Sequence, residues 1–272
     1  MTGHILRIAG PTVSVDIEGL KLYDMVRVGE AGLTGEVVRL EQGRAVVQVY
    51  EDTRGLAAHE PAGGTDAPLT VQLGPGLLSG MFDGLQRPLE RLRELYGPFV
   101  TSGRDIFPLD CDRQWRFFPA KGVGDEVSAG DILGHVEEGP FRHPVIASHC
   151  GQIARLCDGD FSLTAPLGEM VDGREIRAID SWPVRKARPY RRKLSPTLPL
   201  VTGQRTIDFL FPLARGGTAI FPGGFGTGKT ILEQSIAKFA AVDIVVYVGC
   251  GERGNEMAEL LAAFTTLSDP WT

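Results

Sequence analysis

The fold of this chain is decided by the stretch Gly217-Thr218-Ala219-Ile220-Phe221-Pro222-Gly223-Gly224-Phe225-Gly226-Thr227-Gly228-Lys229-Thr230-Ile231. It runs from a short segment of strand composition, 217–221, through a glycine-rich turn, into a helical pattern from Ile231 to about Ala241. Residues 223–230 match G-x-x-x-x-G-K-[ST]. Gly223, Gly224, Gly226 and Gly228, set around Phe225 and Thr227, permit positive φ and let backbone N–H groups approach phosphate oxygens closely. A helix starting near Gly228 turns the positive end of its dipole toward the same anion. Lys229 is then placed to neutralise the β- and γ-phosphates of a nucleoside triphosphate, ATP above all, and the Thr230 hydroxyl to ligate Mg2+. A plain glycine-rich turn is the alternative; a strand before the loop and a helix after it favour the phosphate cradle.

Toward the C-terminus, Val242-Asp243-Ile244-Val245-Val246-Tyr247-Val248 is an apolar, β-branched run of the kind a buried strand requires. Gly249-Cys250-Gly251-Glu252-Arg253-Gly254 follows, and 253–264 reads as a second helix with Met257, Leu260, Leu261 and Phe264 on one face. Strand–helix–strand–helix in this order predicts a parallel α/β sheet. Glu252 falls at the carboxyl end of the second strand, 23 residues beyond Lys229, on the edge where such sheets bind ligands. A carboxylate there can orient and polarise a water for in-line attack on the γ-phosphorus; its bland alternative is a helix N-terminal carboxylate favoured by the dipole. Arg253 would anchor Glu252 or touch phosphate.

Toward the N-terminus, 12–17 and 44–50 alternate apolar and polar residues between glycine turns, which predicts a small antiparallel barrel. His59, Pro61, Gly63, Gly64 and Pro68 mark a boundary, and 88–96 reads as a helix entered at Pro88 and stopped at Gly97-Pro98. Residues 110–185 look like a separate β-rich unit with two rough half-repeats: 123–127 with 130–133, and 151–153 with 159–163. Residues 183–200 combine four prolines with Arg185, Lys186, Arg188, Arg191, Arg192 and Lys193. Such a run can meet nucleic acid or anionic lipid; spaced by prolines in a chain of net charge −6, it reads better as a solvated linker with scattered salt bridges.

That acidic balance argues against a nucleic-acid partner. Neither a signal-like apolar N-terminus nor a run of about 18 apolar residues occurs, so any membrane role runs through a partner. Cys111, Cys150, Cys157 and Cys250 form no C-x-x-C pair and read as reduced thiols of a cytoplasmic protein. His59, His135, His143 and His149 lack the spacing of a helical metal site.

These residues resemble the catalytic A (alpha) subunit of V-type and A-type rotary ATPases and ATP synthases. The matching stretches are 74–80 with 82–89, Val201-Thr202-Gly203-Gln204-Arg205, 211–214 with 216–219, the loop itself, and 244–257. The resemblance implies a mixed fold: an N-terminal antiparallel β-barrel at 1–68, a RecA-like α/β P-loop domain made of 69–109 and 186–272, and an inserted β-rich bulge at 110–185. It implies ATP/ADP with Mg2+ held at Lys229 and Thr230, with Glu252 activating water. It implies three A subunits alternating with three B subunits in a ring, with central and peripheral stalk subunits. ATP synthesis or hydrolysis would be coupled to proton or sodium movement through a membrane sector, with this chain peripheral on the cytoplasmic face. The transition-state arginine would come from the B subunit.

The family usually has proline at the position of Gly224, and many eukaryotic members have cysteine at the position of Thr227. It also continues past Thr272 with a Walker B strand, adenine contacts and a helical domain, so the P-loop domain is expected to be incomplete and the chain alone a poor catalyst. An F-type β subunit, a secretion-type ring ATPase, or a truncated binding module are the alternatives; the 118 residues from Gly84 to Thr202 favour the V/A type, because the other ring ATPases run from barrel to P-loop without so large an insert.

Overall fold

The computed structural model describes residues 1–264 except 79, 191 and 225, with backbone only at 264. The chain divides into two compact units, Met1–Arg188 and Pro189–Thr272.

The first unit begins with β1 (Thr2–Ala9), β2 (Thr12–Val15), β3 (Asp24–Val28), β4 (Leu33–Glu41), β5 (Arg44–Val49) and β6 (Pro61–Pro68). They close into a barrel in the order β1-β2-β5-β4-β3-β6, every neighbour antiparallel. The alternation read from sequence is the reason: Val13, Val15, Val26, Val28, Val37 and Val47 all point inward and are fully buried. Closure leaves no strand edge open. Gly35 lets β4 and β5 close up, since a Cβ there would stand 2.5 Å from the Val47 Cγ1 atom.

Beyond the barrel, β7 (Thr70–Leu73) leads to α1 (Leu89–Tyr96), whose Leu92 is buried and whose N-cap is Pro88. Just before α1, Arg87 is buried. Its Nε donates to Asp83 at 2.7 Å and its Nη1 to Glu51 at 3.0 Å, and the same Nη1 reaches the carbonyls of Thr101 and Arg104. Glu51 also accepts N–H groups from Thr34 and Gly103, so one ion cluster ties the barrel to 83–104.

The insert contains β8 (Gln114–Pro119), β9 (Glu126–Val127), β10 (Ile132–Glu138), β11 (Phe141–Ile146), β12 (Gly151–Leu156), β13 (Gly159–Ser162), β14 (Gly168–Met170) and β15 (Glu175–Ile176). They form two four-stranded sheets, β11-β10-β8-β13 and β15-β14-β12-β9. One core, including Trp115, Phe117, Leu133, Ile153, Phe161 and Met170, takes side chains from both. The half-repeats have a structural counterpart: β9 and β12, their first pieces, pair with each other, while β10 and β13, their second pieces, flank β8. The chain returns on β16 (Asp180–Pro183), which pairs antiparallel with β7, so the end of the insert comes back beside the strand that follows the barrel. Just beyond, Arg185 reaches Glu36, which is almost fully buried, through Nε at 2.8 Å and Nη2 at 2.5 Å, while the Tyr50 hydroxyl donates to the same carboxylate at 2.8 Å. Arg188 pairs with Asp180.

The second unit holds β17 (Pro199–Leu200), α2 (Arg205–Leu210), β18 (Leu213–Ala214), α3 (Lys229–Phe239) and α4 (Gly254–Phe264), with β17 paired to β18. Both predicted helices are present. The two predicted strands are not: 217–221 and 242–248 join no ladder among the described residues. Nor is the second run buried; Val246 is 82% and Val248 79% exposed, and Ile220 in the first is 82% exposed. An apolar β-branched run states what a segment needs on both faces and both edges. It does not supply the neighbours, and no described strand pairs with either segment.

Candidate phosphate-binding site

α3 starts where the motif requires. Gly228 is its N-cap in the left-handed conformation, φ 81°, and Gly226 adopts φ 79°. A side chain at either would be strained, so the pattern's glycines are explained by backbone geometry. Lys229 is the first helical residue and Thr230 the second. The first helical bond runs from the Leu232 N–H to the Gly228 carbonyl at 3.0 Å. The N-cap makes no side-chain cap hydrogen bond and the first turn carries no acidic residue, so the positive helix end faces no carboxylate of its own turn.

The loop is folded on itself. The Lys229 ammonium donates to the Gly223 carbonyl at 2.6 Å, and the Thr227 hydroxyl donates to the Gly224 carbonyl at 2.9 Å. Gly224 therefore serves as an acceptor whose carbonyl helps hold the turn. Phe225 lies outside the described residues.

Glu252 is exposed in the turn before α4. A Cβ on Gly249 would lie 3.7 Å from its Cγ. Nearby, the Tyr247 hydroxyl is pushed above the ordinary tyrosine range, first by burial and then by the negative charges of Glu252, Glu233 on α3, and Glu256. The Arg253 carbonyl accepts the Met257 N–H as α4 begins.

No group of three or more His, Cys, Asp or Glu among the described residues could hold a metal by itself. Thr230, the second residue of α3, brings a hydroxyl to the N-terminal end of that helix. Sequence reading missed a bracket in the same unit. Asp208 accepts hydrogen bonds from both the backbone and the hydroxyl of Thr202, and from the Gly203 N–H. Sequence reading holds Val201-Thr202-Gly203-Gln204-Arg205 only as part of the family resemblance; in the structure Thr202 is buried and Gly203 takes a positive φ.

Comparison with known proteins matches three stretches of the chain. The beta-barrel domain of the ATP synthase alpha/beta family matches residues 5–63, the barrel-sandwich domain of its subunits 106–185, and the family's nucleotide-binding domain 203–268. The chain belongs to the ATP synthase alpha/beta family. The A-type ATP synthase A subunit 2 of Methanospirillum hungatei is 48% identical over 275 residues, covering 100% of this chain and 47% of that protein. The A-type ATP synthase A subunit of Thermococcus onnurineus is 49% identical over 282 residues, covering 99% and 48%. The V-type ATP synthase alpha chain of Clostridium botulinum is 45% identical over 278 residues, covering 100% and 47%. This family member therefore spans about half the length of the curated relatives it matches.

Among solved structures, the assembled ATPase EscN from the enteropathogenic E. coli type III secretion system has a TM-score of 0.52 at 18% identity, covering 96% of this chain and 44% of that one. At that identity the likeness is one of fold; the 45–49% identity along the whole of this chain places the family member with the A- and V-type proteins. No helix among its described residues is long and apolar enough to cross a membrane.

Proposed function

We propose that this chain forms the barrel, bulge and phosphate-binding part of a catalytic A (alpha) subunit of an A/V-type rotary ATP synthase or ATPase. Residues 1–68 would be the barrel, 110–185 the bulge, and 69–109 with 186–272 the nucleotide-binding domain. The observation that carries the reading is Lys229 at the first position of α3, behind two left-handed glycines, in a chain 48% identical along its whole length to the A subunit of an A-type ATP synthase.

In this reading the backbone N–H groups of 226–230 and the Lys229 ammonium bind the ATP phosphates. Lys229 exchanges the Gly223 carbonyl for a phosphate oxygen, a stronger, charge-assisted partner. The Thr230 hydroxyl holds Mg2+ beside the phosphates; the bound ion supplies charge neutralisation at the β- and γ-oxygens. Glu252 orients the attacking water, and Arg253 steadies Glu252 or contacts phosphate. Hydrolysis or synthesis then requires B subunits alternating with this one in a ring, and stalk subunits linking the ring to a proton- or sodium-moving membrane sector at whose cytoplasmic face the chain would sit.

The test is titration of the chain with fluorescent mant-ATP and Mg2+. Lys229→Ala should weaken binding on the order of 100-fold, the worth of a desolvated charged contact. In the full-length protein assembled with its partners, the same change should stop hydrolysis. Near-normal binding and turnover would rule the assignment out.

A further inference from the structure

We propose that Asp208 is a positioning residue for the P-loop helix, acting through the turn at Thr202 and Gly203; this rests on the reading of 223–230 as the phosphate site. The Asp208 carboxylate folds back from α2. One oxygen accepts the Thr202 N–H and the Thr202 hydroxyl, both at 2.8 Å, and the other accepts the Gly203 N–H at 3.1 Å. The Thr202 oxygen in turn accepts the Gln204 N–H at 3.2 Å, and Thr202 is fully buried. The backbone N–H groups of 202–204 are thus all held by a single carboxylate and the hydroxyl it fixes. Those bonds also hold the Asp208 carboxyl below its usual range.

What rests on the turn is the far end of α3. Gly203 has φ 78°, and a Cβ there would lie 2.7 Å from the Phe239 Cβ and 2.9 Å from the Phe239 carbonyl oxygen. Phe239 is the last residue of α3. Two residues on, the Ala241 N–H donates to the Val201 carbonyl at 2.9 Å, so the chain is pinned on both sides of the turn. This seat matters because no residue of α3 is fully buried; most are half-buried. The helix is a rod about 16 Å long, so a tilt of about 10° at the seat carries Lys229 roughly 3 Å. Displacements of about 1 Å are already enough to spoil a positioned group.

Asp208→Asn keeps the size of the side chain but sets an amide against a donor. The experiment compares wild type, Asp208→Asn and Lys229→Ala in the full chain, by amide hydrogen exchange of peptides covering 229–239 and the barrel, and by mant-ATP titration with Mg2+. Asp208→Asn should speed exchange across 229–239 about tenfold, leave the barrel strands unchanged, and weaken mant-ATP about tenfold, the worth of one lost charged hydrogen bond. Lys229→Ala should weaken mant-ATP while leaving exchange in 229–239 at the wild-type rate. Wild-type exchange in Asp208→Asn overturns the positioning role whatever the nucleotide does, and so does a rise that spreads to the barrel. Binding that ignores Lys229→Ala overturns the phosphate-site reading instead, while the exchange arm still decides the seat. Should Asp208→Asn fail to fold, Thr202→Val removes both bonds of the hydroxyl, to Asp208 and from the Gln204 N–H, but leaves the carboxylate's bonds to the Thr202 and Gly203 N–H groups; it should show the same exchange pattern at smaller size, and wild-type exchange in it overturns the role equally.

Discussion

The Lys229 ammonium donates a 2.6 Å hydrogen bond to the Gly223 carbonyl, closing the loop across six residues. The amine can come back over the turn because Gly226 and Gly228 both take left-handed backbone conformations. Gly228→Ala should therefore lower mant-ATP affinity about tenfold, the cost of forcing an ordinary residue into that region. Gly228→Asn should lose less, since asparagine tolerates it. The melting of the barrel unit, followed in parallel, should not move. Equal losses for alanine and asparagine would mean that space, rather than backbone conformation, makes glycine necessary here.

Glu252 lies exposed just before α4, and the pKa of Tyr247 is raised first by burial and then by the charges of Glu252 and of Glu233 on α3. In the full-length protein, Glu252→Gln should leave nucleotide binding nearly unchanged and cut turnover on the order of 10²–10⁴, the usual worth of general-base assistance. If binding and turnover fell together, Glu252 would be holding the turn before α4 rather than a water.

The features legible in the sequence are those set by local spacing. The loop's glycines, the start of α3, the inward valines of β2 and the two halves of the insert all follow from residues a few positions apart. Contacts set by distant partners were not legible. Glu36 meets Arg185 across 149 residues, and Glu138 accepts the N–H groups of Gly76 and Leu78 some 60 residues back. No periodicity encodes which backbone a carboxylate will clasp. The runs 217–221 and 242–248 show the converse. Their composition announces a strand correctly as a requirement, but pairing depends on neighbours that the run itself does not contain.

The Arg87 cluster should carry much of the attachment between the barrel and 83–104. The Arg87 side chain is 9% exposed and that of its partner Glu51 4%. Arg87→Met would leave the Glu51 and Asp83 carboxylates in place without their cation, a change that costs about 3–5 kcal/mol where an ion pair is buried. Urea unfolding followed by intrinsic fluorescence measures it. A loss under about 1 kcal/mol would place the cluster with solvated surface pairs.

Stability of the first unit should fall in two steps on acidification. His143, on β11, has its pKa held below the usual 6.5, mainly by burial, against a weaker opposite pull from Glu138, whose Oε2 lies 3.5 Å from the ring. Below pH 6.5 the unfolded imidazole takes a proton that the folded one refuses, so stability is whole above that value and declines as pH falls toward the depressed pKa. Glu36 acts lower down. The hydrogen bond from Arg185, and a second from Tyr50, hold its carboxyl below the usual 4.5 despite burial. Its contribution is present above pH 4.5 and is lost as pH drops through the lowered value. Urea midpoints against pH should show both limbs. His143→Gln should flatten the upper one and leave the lower, and Glu36→Gln the reverse. An upper limb that survives His143→Gln would assign that proton to another group.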